Sequence, residues 1–508
     1  MKEAKMRLSD ILAGVSLLGL ALPAAAQTGA PPPAGQAPAA TPTTTLREAM
    51  VEAYRTNPDI TGQRASLRAT DESVPIARAA GLPSVSSSGS YNENLYDTDS
   101  SGLGPTRQGS LGVDLSVPVF TGGSVRNSVR AAETRVEAGR DGLRSAESQL
   151  FSNVVAAYMD VIRDEAIVRL NQQNARVLGV NSQATRDRFE VGDLTRTDVA
   201  QSEARQALAE SQLRSAESRL ISSRENYIRI VGSVPGTLAA PPSLPNMPAG
   251  VDQAVSVALE ENPALAGAKK SRDAAGYDVN VARAGRLPQV SVGVGGDYYN
   301  RFGSVSGFGR TAGIANDGFA TSAGVTLRMP LFQGGRPAAQ VRQAQARQSV
   351  AIEQVTATER SVIAQTRSAY AVWQSAQRVI ESSRLAVQAN QLSLEGVRAE
   401  NSVGTRTILD ILNAEQELLN SQVQLVTAER DAYVAGFAVL AAMGRAEAAD
   451  LGLDGGPLYD PVANYDRVKR SLSDWRDNPA PKPEATRTTD TPAQTPIVSG
   501  PLDPQNPR

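Results

Sequence analysis

The chain has 508 residues, 51 basic and 53 acidic side chains, a net charge of −2, and neither His nor Cys. This excludes disulfides, zinc–thiolate sites and a cysteine nucleophile, removes the commonest general base and metal ligand, and argues against a nucleic-acid partner. Aromatics at 4% are too few for a conventional compact core, while abundant Ala, Gln, Ser, Arg and Glu suit long helices packed side by side, so the chain reads as a non-enzyme with no cofactor and no metal site.

The first predicted element is a leader. Lys2, Lys5 and Arg7 precede the apolar run "ILAGVSLLGLAL" (11–22), and small residues stand at Ala24 and Ala26. This is the three-part pattern of a secretory signal peptide, residues 1–26. A run this short cannot span about 30 Å of hydrocarbon as a helix, and no later segment holds about 20 apolar residues. Residues 27–45 read as a disordered Pro/Ala/Thr linker, and the C-terminal extension 445–508 as largely disordered.

Between them the chain repeats itself. Asn57–Pro58 recurs as Asn262–Pro263, and the "AR..GLPSVS" run from Ala77 recurs from Ala282, both at an offset of 205. "PVFTGG" (118–123) recurs as "PLFQGG" (330–335) at an offset of 212, which then holds for Val191–Gly192 with Val403–Gly404, Asp198 with Asp410, Glu203 with Glu415, and Gly232 with Gly444. Repeat 1 therefore spans 46–232, a linker 233–250, and repeat 2 251–444. Such strict length matching suggests rods that must stay in register.

Each repeat has the same predicted order. Short helices come first, about 46–56 and 58–80, then about 251–261 and 263–285. A β-hairpin follows, 83–121 and 288–333. In it Leu111, Val113, Leu115 and Val117 alternate with Ser110, Gly112, Asp114 and Ser116. Likewise Ala323, Val325, Leu327 and Met329 alternate with Ser322, Gly324, Thr326 and Arg328. Strands of about 9–11 residues can cross a bilayer at a tilt. From each Gly-Gly turn a helix of about 100 Å starts, 124–190 and 336–401, and returns as 194–231 and 406–443. Four amphipathic strands cannot close a barrel, which needs about eight, and an open edge in lipid costs several kcal/mol per unpaired group. If these strands enter a membrane, several chains must share one barrel.

The tandem repeat, the two P-hydrophobic-F-x-G-G turns and above all "VGTRTILDILNAEQELLNSQ" (403–422) carry a family resemblance. Over about residues 46–445 the chain resembles the TolC-like outer-membrane efflux proteins of Gram-negative bacteria. The resemblance implies an α+β membrane fold, a homotrimer. Twelve strands, four per chain, would form one outer-membrane β-barrel continuous with a periplasmic α-helical coiled-coil tunnel. It implies the exit duct of a tripartite efflux pump or type I secretion system. The partners would be a periplasmic adaptor, an inner-membrane transporter and the outer-membrane lipid. The alternative is a soluble periplasmic coiled-coil scaffold or adaptor without a barrel.

The resemblance also implies site residues. Arg406 and Asp198 match a closing latch, and Asp410 matches a carboxylate ring at the pore constriction. Asn413 stands where many members carry a second Asp, and Asn401 where some carry a latch Tyr. Val191, Gly192 and Leu194, with Val403, Gly404 and Thr405, match the adaptor-contact tips. On spacing alone, Arg406 and Asp198 read as ordinary capping or surface charges, and Gly192 and Gly404 as helix ends needing positive φ.

Overall fold

A computed structural model describes residues 43–95, 105–305, 307–311, 313–453 and 458–498. The expected signal peptide and residues 27–42 of the expected linker lie outside the described residues. In chain order the elements are β1 (Thr43–Thr44), α1 (Leu46–Thr56), α2 (Pro58–Asp71), α3 (Ser73–Ala79), β2 (Ser84–Glu93), β3 (Arg107–Phe120), α4 (Ser124–Glu190), α5 (Arg196–Val231), β4 (Thr237–Leu238), α6 (Val251–Glu261), α7 (Pro263–Ala284), β5 (Gln289–Asn300), α8 (Gly307–Thr311), β6 (Asp317–Arg328), α9 (Arg336–Ser402), α10 (Ile408–Ala442) and α11 (Ala463–Val468). Among the described residues no helix is long and apolar enough to cross a membrane.

The Asn-Pro repeats do the same work twice. Asn57 Oδ1 accepts from the Asp59 N–H at 2.8 Å, capping α2, and its Nδ2 donates to the Ile230 carbonyl at 2.9 Å. Asn262 caps α7 through the Ala264 N–H at 3.0 Å and donates to the Ala442 carbonyl at 2.9 Å. Ile230 and Ala442 are repeat equivalents, so each motif clamps a short helix onto the end of a returning long one. Asn57→Ala, at a buried site, is expected to lower stability by about 1–3 kcal/mol through the lost cap and the orphaned carbonyl, seen as a lower unfolding midpoint.

The sequence suggests one helix over 58–80, but the structure breaks it at Glu72. Pro75 has no N–H to return to the Asp71 carbonyl. In the second repeat Asn280 holds that place and α7 runs unbroken.

The four long strands form one antiparallel sheet in the order β2-β3-β5-β6. The register places Val290 opposite Leu327 and Val292 opposite Val325 on the apolar face. Ser86 pairs with Asp114, and Asp114 with Gly295, on the polar face. Pro118 cannot donate, and the β3–β5 ladder shifts between Pro118 and Phe120, leaving Val119 as a bulge. Strand β6 stops at Arg328, two residues before Pro330, rather than running on toward 333. Among the described residues, the outer strands β2 and β6 each have one unpaired side. The Gly-Gly turns then start the rods with positive φ at Gly122, Gly123, Gly334 and Gly335.

The core lies where α1, α4, α5 and α10 meet, around Phe151, Tyr158, Tyr227 and Phe437. The Tyr158 hydroxyl lies 2.9 Å from the Thr44 carbonyl and 2.7 Å from that of Ala239. It holds the parallel pair β1–β4, which ties the two linkers together. The two 67-residue helices differ in burial. Helix α4 is buried along most of its length, whereas α9 buries only Val341, Val362, Thr366, Ser383 and Leu394. The second repeat therefore has a rod face that the described residues leave uncovered.

The expectation of disorder in the C-terminal extension does not hold for residues 458–498, which form a strap. It climbs α2 and α3: the Tyr459 N–H bonds the Tyr54 hydroxyl, Asn464 donates to Asp71, and Arg78 donates to the Lys469 carbonyl at 2.7 Å. It then descends: Arg68 pairs with Glu484, the Thr486 N–H bonds the Thr56 carbonyl, and Arg224 takes the Thr495 carbonyl. A composition poor in apolar residues is held here in large part by bonds to its backbone, which composition does not reveal.

Candidate functional site at the helix-hairpin tips

Each tip is built from two backbone motifs. At the first, the Gly192 N–H bonds the Phe189 carbonyl and the Asp193 N–H bonds the Arg188 carbonyl. At the second, Gly404 bonds Asn401 and Thr405 bonds Glu400 in the same pattern. This is a Schellman closure, and it requires the positive φ of Gly192 (87°) and Gly404 (80°). Thr195 and Thr407 then cap the returning helices. Thr195 Oγ1 accepts from the Asp198 N–H while Asp198 Oδ2 accepts from the Thr195 N–H at 2.9 Å; Thr407 and Asp410 repeat this. The turns leave Val191 and Val403 exposed by 78% and 74%. Leu194 stands between the Schellman closure and the cap, and its repeat equivalent is Arg406.

Both Asp198 and Asp410 are thus third-position capping residues. The threonine hydroxyl bond, then the backbone bond, holds each carboxyl below the usual carboxylate range. A depressed folded value means the caps are intact above the ordinary carboxylate value and lost only as pH falls through the depressed one. Hydrogen exchange at the Thr195 and Thr407 amides, corrected for its intrinsic rate, is expected to stay protected from neutral pH to about pH 4 and to rise below that. Loss of protection near pH 6 would contradict it.

Within one chain Arg406 does not meet Asp198. Its Nε donates to Glu400 at 2.8 Å, and its Nη1 lies 4.0 Å from Asp410. The Glu400 bond holds the guanidinium above its usual value. Asn401 donates to the Arg406 carbonyl at 2.7 Å, so it braces the tip. Asn413 Oδ1 accepts from Arg205 of α5 at 2.8 Å. Asn413, expected where a second ring carboxylate would stand, is thus an amide tied to a cation.

One pair near the tips was missed by sequence reasoning. Buried Glu415 takes Arg398 at 2.9 Å and Asn181 at 3.3 Å, joining α9, α10 and α4. Its repeat equivalent, Glu203 with Arg186 at 2.9 Å, is exposed. The shared 17-residue spacing across each turn was the available signal.

A four-stranded sheet with two open edges, carried on rods of about 100 Å that end in capped, apolar-tipped hairpins, defines an outer-membrane duct subunit. The outer membrane efflux protein family matches residues 49–233 and 254–445, and the chain belongs to that family. It is 35% identical over 426 residues to the outer membrane efflux protein BepC of Brucella suis, covering 84% of this chain and 90% of that one. It is 26% identical over 395 residues to the outer membrane protein TolC of Vibrio cholerae, covering 76% and 87%. The crystal structure of the Campylobacter jejuni CmeC outer membrane channel superposes with a TM-score of 0.70 at 16% identity, covering 84% of this chain and 90% of that one. The protein is an outer-membrane export channel with its helices in the periplasm. The reading as a soluble scaffold without a barrel is set aside.

Proposed function

We propose that three copies of this chain form the passive exit duct of a tripartite efflux or type I secretion assembly. The sheet with unpaired edges at β2 and β6 carries this reading. Three chains of four strands give twelve, enough to close a barrel where one chain's four are not. The weakly buried face of α9 is then covered by a neighbouring protomer.

At the periplasmic end, Arg406 of one tip latches to Asp198 of a neighbour. Thr195 donates to Asp198 Oδ2 through both its N–H and its hydroxyl, which leaves Oδ1 to take the guanidinium. Asp410, oriented by its cap, supplies one carboxylate per chain to the constriction. Val191, Gly192, Leu194, Val403, Gly404 and Thr405 dock the periplasmic adaptor, which couples the duct to an inner-membrane transporter. Small toxic molecules, drugs or polypeptides pass through, and the energy comes from the transporter.

The protein has no Cys, so edge contacts can be tested directly. Cysteines placed singly along β2 and along β6, in pairwise combinations, are expected to yield disulfide-linked dimers and trimers on non-reducing gels. Monomer at every pairing would overturn the shared barrel.

A further inference from the structure

The strap described above turns at residues 470–477, "RSLSDWRD". Its ascending limb is fixed as far as Lys469 by Arg78 at the end of α3, and by Tyr465 beneath the Arg140 guanidinium at 5.0 Å. Its descending limb is fixed by Asn478, which accepts from Arg467 at 3.2 Å, and by Glu484. The apex between them carries Leu472 and Trp475, exposed by 75% and 95%. Arg470 and Arg476 beside them are also exposed.

The place of this apex decides what it meets. Arg78 is the sixth residue before Ser84, where β2 and the sheet begin. Beyond Lys469 the chain turns, the Ser471 N–H bonding the Val468 carbonyl at 2.9 Å, so the apex stays beside Arg78, at most about 20 Å of chain from the start of the sheet. Val119 and Phe120 at the end of β3, and Met329, Leu331 and Phe332 just past β6, are exposed where the strands give way to the long helices. Together they make the lower rim of the apolar belt. Indole rings favour the headgroup layer, and arginines beside them favour lipid phosphates.

We propose that the strap apex, Leu472 and Trp475 flanked by Arg470 and Arg476, is an interfacial anchor seated in the phospholipid headgroups of the inner leaflet of the outer membrane. The C-terminal extension thereby ties the periplasmic helices to the bilayer outside the barrel wall. The bonds of Asn464 to Asp71 and of Arg78 to Lys469 hold its base against α2 and α3, next to the start of the sheet. This rests on the barrel lying in the membrane.

The chain has two tryptophans, and Trp373 lies in the body of α9 against Tyr370 at 5.6 Å, away from the sheet. Full-length Trp373→Phe protein, reconstituted in vesicles of phosphatidylethanolamine and phosphatidylglycerol, reports Trp475 alone. Brominated acyl chains are expected to cut its emission by about half, as for an indole at headgroup depth, while aqueous iodide quenches it weakly. The Trp475→Phe protein, reporting Trp373, is expected to be unaffected by bromolipid. Strong iodide quenching without bromolipid quenching would place Trp475 in water and overturn the anchor. Protection from both would place it under a neighbouring protomer or adaptor and also overturn it. Retained single-channel conductance in the same vesicles would leave the duct itself standing.

Discussion

Gly444→Val is expected to be the most damaging single substitution outside the tips. Gly444 follows α10 with φ of 79°. A Cβ there would lie 2.5 Å from the Glu261 carbonyl oxygen and 2.8 Å from its carbon, both backbone atoms that cannot move aside. A β-branched residue with positive φ, forced against backbone, costs about 3–5 kcal/mol. The repeat equivalent Gly232 has φ of 91° but would meet only the Thr56 side chain, at 3.0 Å from Oγ1. Only a side chain must shift, by a few tenths of an ångström, so Gly232→Ala is expected to cost about 1–2 kcal/mol. Thermal unfolding of the detergent-solubilised variants measures both. Equal midpoints would show that the two Asn-Pro junctions are not packed as described.

Arg406→Ala is expected to raise single-channel conductance on the order of twofold, since it removes the latch proposed at the tips. The structure adds a variant of opposite sign. Glu400 is the first partner of Arg406 within its own hairpin, at 2.8 Å. Glu400→Gln releases the guanidinium from that competitor and strengthens its attraction to a neighbour's Asp198, so conductance is expected to fall. If both variants leave conductance unchanged, Arg406 is no latch. If both raise it, Glu400 belongs to the closed gate and does not compete with it.

Much of this fold was legible because the decisive positions are ones where the backbone leaves little choice. The Gly-Gly pairs at 122–123 and 334–335 need positive φ, and an Asn before Pro is a ready N-cap. The alternation on β3 and β6 reads directly as one apolar and one polar face. The tips were legible in part. "TRTD" (195–198) and "TILD" (407–410) carry the spacing of a capping box, and the structure gives that role to Asp198 and Asp410. Spacing could not reveal that Arg406 has an intrachain carboxylate nearer than Asp198, because Glu400 comes from the preceding helix. The strap was illegible for a different reason. Arg224 and Arg78 donate to its carbonyls and its Thr486 N–H donates to the Thr56 carbonyl, and main-chain atoms leave no trace in composition. Pro75, which lacks an N–H for the helix ladder, was the available signal for the break within 58–80.

The central claim is that the chain forms a duct whose periplasmic tips are its constriction. Planar-bilayer recording of the purified protein tests it most directly, with a trivalent cation added to one side at a time. The expected result is a steady conductance blocked from the tip side alone, with the block relieved in Asp410→Asn. A barrel that conducts but is blocked equally from both sides, or unaffected by Asp410→Asn, would contradict the tip constriction. Protein that inserts without conducting would contradict the duct.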